Sequence, residues 1–116
     1  MSAQIVASRS DLHPGEVMKL ELDSAAGELI EVALVHAQDG QYYAIGDVCS
    51  HGQVSLSEGE VDGLTLECWL HGSCFDLRTG APTSLPATKP VPTYPVSYDG
   101  DSVLVDVDAA AAAETA

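Results

Sequence analysis

Apolar and polar positions alternate with a period of two along most of this chain, which predicts strands rather than helices. Residues 17–22 carry Met18, Leu20 and Leu22 on one face and Val17, Lys19 and Glu21 on the other. Residues 29–36 and 41–45 are rich in β-branched and aromatic side chains, with Asp39-Gly40 between them as a hairpin signal. The device recurs as Asp62-Gly63 between Val61 and residues 64–66, and as Asp99-Gly100 between residues 94–98 and 103–107. No stretch sustains a helical period except the alanine-rich end, and residues 109–116 are expected to form a flexible tail because they offer no apolar face. The predicted fold class is all-β.

The 116 residues suit one domain, expected over residues 1–108 and able to bury roughly two-thirds of its unfolded surface. Five of the six prolines, with Gly80, fall in RTGAPTSLPATKPVPTYP at residues 78–95. Proline fixes φ and removes a backbone donor, so this segment reads as a stiff extended loop ending at an edge strand. A linker is the alternative, but residues 94–107 supply one hairpin, too little for a second domain.

Charge narrows the partners. Arg9, Lys19, Arg78 and Lys89 oppose eighteen acidic residues, for a net charge of −14. Such a field repels phosphate backbones and anionic bilayers, so neither nucleic acid nor membrane is expected as a partner. It would either steer the protein onto a basic patch or simply keep it soluble. The longest apolar runs are too short and too interrupted to span a bilayer, and residues 1–11 carry no export signal. The expected location is the cytoplasm.

The chemistry concentrates in two short pairs, Cys49-Ser50-His51 and Cys68-Trp69-Leu70-His71, separated by sixteen residues. Each offers one thiolate and one imidazole, giving two sulfur and two nitrogen donors. Zinc accepts that set, but its usual spacings put two Cys together and two His together. Mixed pairs suit a [2Fe–2S] centre, where each loop sends its Cys to one iron and its His to the other. The Pro-rich segment follows the second pair directly and is expected to pack over the metal site. His13 and His36 stand outside the spacing and read as ordinary surface residues. No catalytic residue is assigned, and three cysteines make no disulfide framework.

The strings CSHG at 49–52, CWLHGSCFDLRTG at 68–80 and PVPTYPV at 90–96 together resemble a Rieske ferredoxin. The resemblance implies antiparallel sheets stacked as a sandwich, with a loop-rich cluster-binding part at about residues 46–88. It implies one [2Fe–2S] cluster, with Cys49 and Cys68 on the buried iron and His51 and His71 on the outer one. Gly52 and Gly72 follow the His ligands, where backbone N–H groups approach the sulfides. Ser73 matches a serine that donates to a bridging sulfide, and Phe75 stands where high-potential members carry a Tyr hydroxyl. Lacking that donor and the extra disulfide of the membrane-complex members, the protein is expected near the low end of the Rieske range, about −150 mV. Trp69 is expected to shield the cluster, meet a partner or pack, and Cys74 to be a small, partly buried apolar residue.

The implied function is one-electron transfer rather than catalysis. The implied partners are a flavin reductase as donor and, as acceptor, a ring-hydroxylating oxygenase or the SUF-type iron–sulfur assembly proteins. The alternatives are a regulatory or small subunit of an oxidoreductase complex with the same fold, and a zinc-stabilised binding module.

Overall fold

The computed structural model describes residues 3–25, 27–48, 54–69, 72–83 and 91–107. Within them the chain runs through β1 (Gln4–Ser8), β2 (Glu16–Asp23), β3 (Leu29–His36) and β4 (Tyr42–Gly46). One turn of 3₁₀ helix (Leu56–Glu58) leads into β5 (Glu60–Asp62), β6 (Thr65–Glu67) and β7 (Cys74–Asp76). The last strands are β8 (Thr93–Tyr94), β9 (Val96–Asp99) and β10 (Ser102–Val105). They form three antiparallel sheets, ordered β1-β10-β9, β2-β3-β4-β8 and β5-β6-β7. The all-β expectation is borne out, and the alanine-rich tail lies outside the described residues.

The sheet β2-β3-β4-β8 is the shared wall of two cores. In β3, Val32, Ala33, Leu34 and Val35 are all fully buried, because neighbours cover both faces. Ala33 and Val35 join Ile45, Leu56, Leu66, Cys68, Phe75 and Val91 in one core. Val32 and Leu34 join Tyr42, Val103 and Val105 in the other. A strand covered on both sides needs an unbroken apolar run, which residues 32–35 supply. β2 lies at the sheet edge and keeps its alternation: Met18, Leu20 and Leu22 pack on the second core and Val17 on the first.

The sequence expectations need four corrections. β1 was not anticipated; it pairs with β10 through a bulge between Ile5 and Ala7, which breaks the alternation. The glycine of two Asp-Gly pairs occupies the first central turn position, since Asp62 pairs with Thr65 and Asp99 with Ser102. Residues 94–98 are two strands in different sheets: Tyr94 pairs with Ala44, Val96 with Val105, and Pro95 marks the crossing. His36 is not a plain surface residue. Its Nδ1 donates to the Leu12 carbonyl at 2.7 Å and its ring stacks on Tyr42 at 4.3 Å. His13 does lie on the surface, where its backbone N–H bonds Glu16.

Candidate metal centre

Of the four residues expected to hold metal, Cys68 is within the described residues; Cys49, His51 and His71 lie outside them, as does Gly52. Cys68 leaves the end of β6 fully buried, in the core that also contains Leu56, Leu66 and Phe75. Its N–H donates to the Ser73 carbonyl at 2.6 Å, and its own carbonyl accepts the Gly72 N–H at 3.0 Å. These two bonds bring Gly72 and Ser73 back against Cys68 beside its buried thiol. Gly72 makes the closure with φ +79°, and a Cβ there would meet Glu67 Oε2 at 3.3 Å. Ser73 is fully buried beside it. Cys74, partly buried, points its thiol toward the Gly72 carbonyl at 3.8 Å.

The segment that carries the first expected pair of ligands is closed at its base in the same manner. The Asp47 N–H donates to the Glu31 carbonyl at 3.0 Å, and the Asp47 carbonyl accepts the Leu56 N–H at 2.6 Å. Val48 and Ser55 form a β-bridge between these contacts. The chain thus leaves β4, passes residues 49–53 and returns beside its own point of departure. Leu56 then enters the core that holds Cys68. Gly59, at the end of the 3₁₀ turn, lies so near the Glu67 carbonyl that any Cβ would overlap it. This approach sets the exit of the first segment against the strand that delivers Cys68.

The Pro-rich segment is anchored at both described ends. Pro82 bridges to Phe75, and the Thr83 N–H donates to the Cys74 carbonyl at 2.8 Å. Buried Val91 donates to the Gly80 carbonyl at 2.9 Å, and the Pro92 carbonyl accepts the Gly46 N–H at 2.8 Å. Gly80, at φ +76°, also leaves no room for a Cβ against the Val91 carbonyl. The segment does end at an edge strand, β8. Its expected packing over the metal site falls on residues 84–90, outside the described residues.

A carboxylate–guanidinium pair stiffens the return of the second segment. Asp76 Oδ2 lies 3.1 Å from Arg78 Nη2, and Oδ1 accepts the Arg78 backbone N–H at 2.7 Å. The Arg78 guanidinium holds the Asp76 carboxyl below the usual carboxylate range. A depressed folded pKa stabilises above the unfolded value of about 3.9, and that contribution fades as pH falls through the lower folded value. The Arg78 side chain is 59% exposed, so Asp76→Asn is expected to cost less than about 1 kcal/mol at neutral pH. Urea midpoints measured from pH 6 to 2 should converge for the two proteins at the acid end; parallel curves would refute the coupling.

The described residues fit an iron–sulfur group. A fully buried thiol sits on a loop narrowed by glycine and serine, and a second loop is pinned against it by a glycine contact. Such a cradle beside one buried thiol, with the expected donors Cys49, His51 and His71 on the same two segments of the sequence, suits a cluster that accepts one electron reversibly. Four large apolar side chains are exposed among the described residues, and two of them adjoin expected ligands: Val48 precedes Cys49 and Trp69 follows Cys68. Trp69 is 51% exposed and walls a shallow groove with Glu58, Glu60 and Glu67, so it is not a core packing residue. Asp47 and Gly59 escaped the sequence reading. Asp47 was signalled by a lone carboxylate at the end of an apolar strand, Gly59 by an isolated glycine between Glu58 and Glu60.

Comparison with known proteins agrees with this geometry. The Rieske [2Fe-2S] domain model matches residues 2–95. The ferredoxin subunit of the 3-phenylpropionate/cinnamic acid dioxygenase of Escherichia coli K12 is 39% identical over 99 residues, covering 84% of this chain and 87% of that protein. The ferredoxin component of the p-cumate 2,3-dioxygenase system of Pseudomonas putida is 34% identical over 105 residues, covering 90% and 85%. A solved structure of the oxygenase–ferredoxin complex of carbazole 1,9a-dioxygenase contains a chain that superposes with a TM-score of 0.78 at 37% identity, covering 88% and 99%.

Proposed function

The chain belongs to the Rieske [2Fe–2S] domain family, and from that premise we propose that it is the ferredoxin component of a ring-hydroxylating dioxygenase system. Like its relatives it is an electron carrier and not a catalyst, with one [2Fe–2S] cluster held by Cys and His. In this proposal Cys49 and Cys68 hold one iron and His51 and His71 the other. Gly52, Gly72, Ser73 and Phe75 surround them. Residues 46–88 form the cluster-binding part of a single domain over residues 1–108, followed by a tail at 109–116. The observation that carries the reading is the buried Cys68 thiol in a loop closed by Gly72 and Ser73.

The donor is a reductase and the acceptor is the oxygenase, both met transiently in the cytoplasm. Outer-sphere electron transfer needs close approach rather than a substrate pocket, and a small interface suffices. Exposed Val48 and Trp69, each next to a proposed ligand, supply apolar contact for it. The acidic field supports docking on a basic face, since the net charge is −14 and the described basic residues are engaged within the chain: Arg9 lies over the Tyr98 ring, Lys19 beside Glu31 and Arg78 on Asp76. No helix among the described residues is long and apolar enough to cross a membrane.

The test is direct. The purified protein should be red-brown, with two iron and two sulfide per chain. His71→Ala should lose the cluster, while Cys74→Ser should retain it with an unchanged visible spectrum. A colourless zinc protein, or a His71→Ala variant with full iron, would overturn the assignment.

A further inference from the structure

A helix begins with backbone N–H groups that have no partner within it, and a residue at its N-terminal boundary usually accepts one through a side-chain oxygen. In the 3₁₀ turn Leu56–Glu58 the boundary residue is Ser55, with backbone angles suited to capping (φ −80°, ψ 124°), yet its side chain makes no capping bond. The acceptor comes from ten positions upstream. Asp47 Oδ1 takes the Ser57 N–H at 2.8 Å, and the Asp47 carbonyl takes the Leu56 N–H at 2.6 Å. One residue therefore satisfies the first two amides of the turn.

Asp47 is well placed to do this rigidly. It is fully buried, its own N–H is fixed on the Glu31 carbonyl of β3, and Gly46 before it packs against the Pro92 ring. Oδ2 is buried with no partner among the described residues. A buried carboxyl is costly unless hydrogen bonds offset its desolvation, and Oδ1 has one from the Ser57 N–H. The bonds of Asp47 tie both ends of residues 48–55 to the central sheet, and Cys49 and His51 lie within that stretch.

We infer that Asp47 is the positioning residue of the first ligand segment, fixing Cys49 and His51 relative to Cys68 by capping the turn that follows them. The inference rests on the proposed ligand assignment. Asp47 does not touch the cluster in this role; it acts through the loop ends it holds.

The experiment compares holoproteins: wild type, Asp47→Ala, Asp47→Asn, Asp47→Ala combined with Ser55→Asp, and Cys49→Ser. Two readouts are followed: the rate of iron loss to a chelator, and the electron paramagnetic resonance spectrum of the reduced cluster. Asp47→Ala should release iron about tenfold faster, the usual scale for losing a group that orients metal ligands, with shifted g-values. Asp47→Asn keeps a carbonyl oxygen for the Ser57 N–H and should retain the wild-type spectrum and rate. Ser55→Asp supplies a local cap and should slow the Asp47→Ala loss several-fold. Should Asp47→Ala fail to fold, Asp47→Asn and the double variant decide, and both must hold iron for the inference to stand. Asp47→Ala with wild-type rate and spectrum, or Asp47→Asn as leaky as Asp47→Ala, would overturn it. A Cys49→Ser protein that keeps its iron would instead overturn the ligand assignment beneath it.

Discussion

Gly59→Ala is expected to yield a protein depleted of its cluster, with a thermal midpoint lowered by about 10 °C. The backbone angle is ordinary, φ −88°, so the cost is steric. The added Cβ would overlap the carbonyl of Glu67, a backbone atom inside the β5–β6 pair that has no rotamer by which to yield. One of the two chains must move, and relieving overpacking of this kind costs about 3 kcal/mol. Either movement separates the exit of the proposed first ligand segment from β6, the strand that leads to Cys68. Gly63→Ala is the matched comparison: φ is +60° with no atom within 4 Å of the new Cβ. It should lose about 1 kcal/mol to backbone strain and keep its iron. Calorimetry and iron analysis of the two variants check this, and equal iron content would refute the structural coupling.

The second large effect is expected at Phe75. Its ring is fully buried on β7 opposite Leu66, in the same core as Cys68, with Pro82 bridging from the Pro-rich segment. Phe75→Ala should cost about 3–5 kcal/mol through lost transfer energy and the cavity left behind. Phe75→Leu should cost less than half of that. Urea denaturation of the holoproteins measures both, and a loss below about 1 kcal/mol for Phe75→Ala would show that the neighbours close the gap. In the sequence Phe75 stands out for the hydroxyl it lacks; in the fold its ring is one of the largest fully buried side chains of the core that holds Cys68.

Much of the fold was legible because local chemistry and tertiary context agreed. Residues 29–36 read as a strand from side-chain type alone and form β3 within the same bounds. What was not legible depended on partners distant in sequence. β1 carries a bulge that shifts its pattern, and its partner β10 comes from the other end of the described chain. Residues 94–98 gave no sign that Pro95 divides them between sheets. At the site, the ligand proposal for the Cys/His pairs comes from spacing, since donor type and interval are local properties. Asp47 and Gly59 give only a faint local signal, because each acts on a backbone atom eight to ten positions away.

The doubly covered strand β3 has a consequence for how faithfully the chain folds. In a half-buried strand, a one-residue slip of pairing carries charges into the core and is rejected for that reason. Residues 32–35 are apolar on both faces, so within that run polarity raises no objection to a slip, and only Glu31 and His36 at its two ends would carry polar groups inward. Volume raises some too, since a slip would set Ala33 where Leu34 packs, or Leu34 where Ala33 does. The stronger constraint lies at the two ends. Ser24 and Glu28 exchange backbone and side-chain hydrogen bonds across one turn, and Ala37 bonds both Gly40 and Gln41 across the other. Correct alignment of the most buried strand is thus set by two exposed loops.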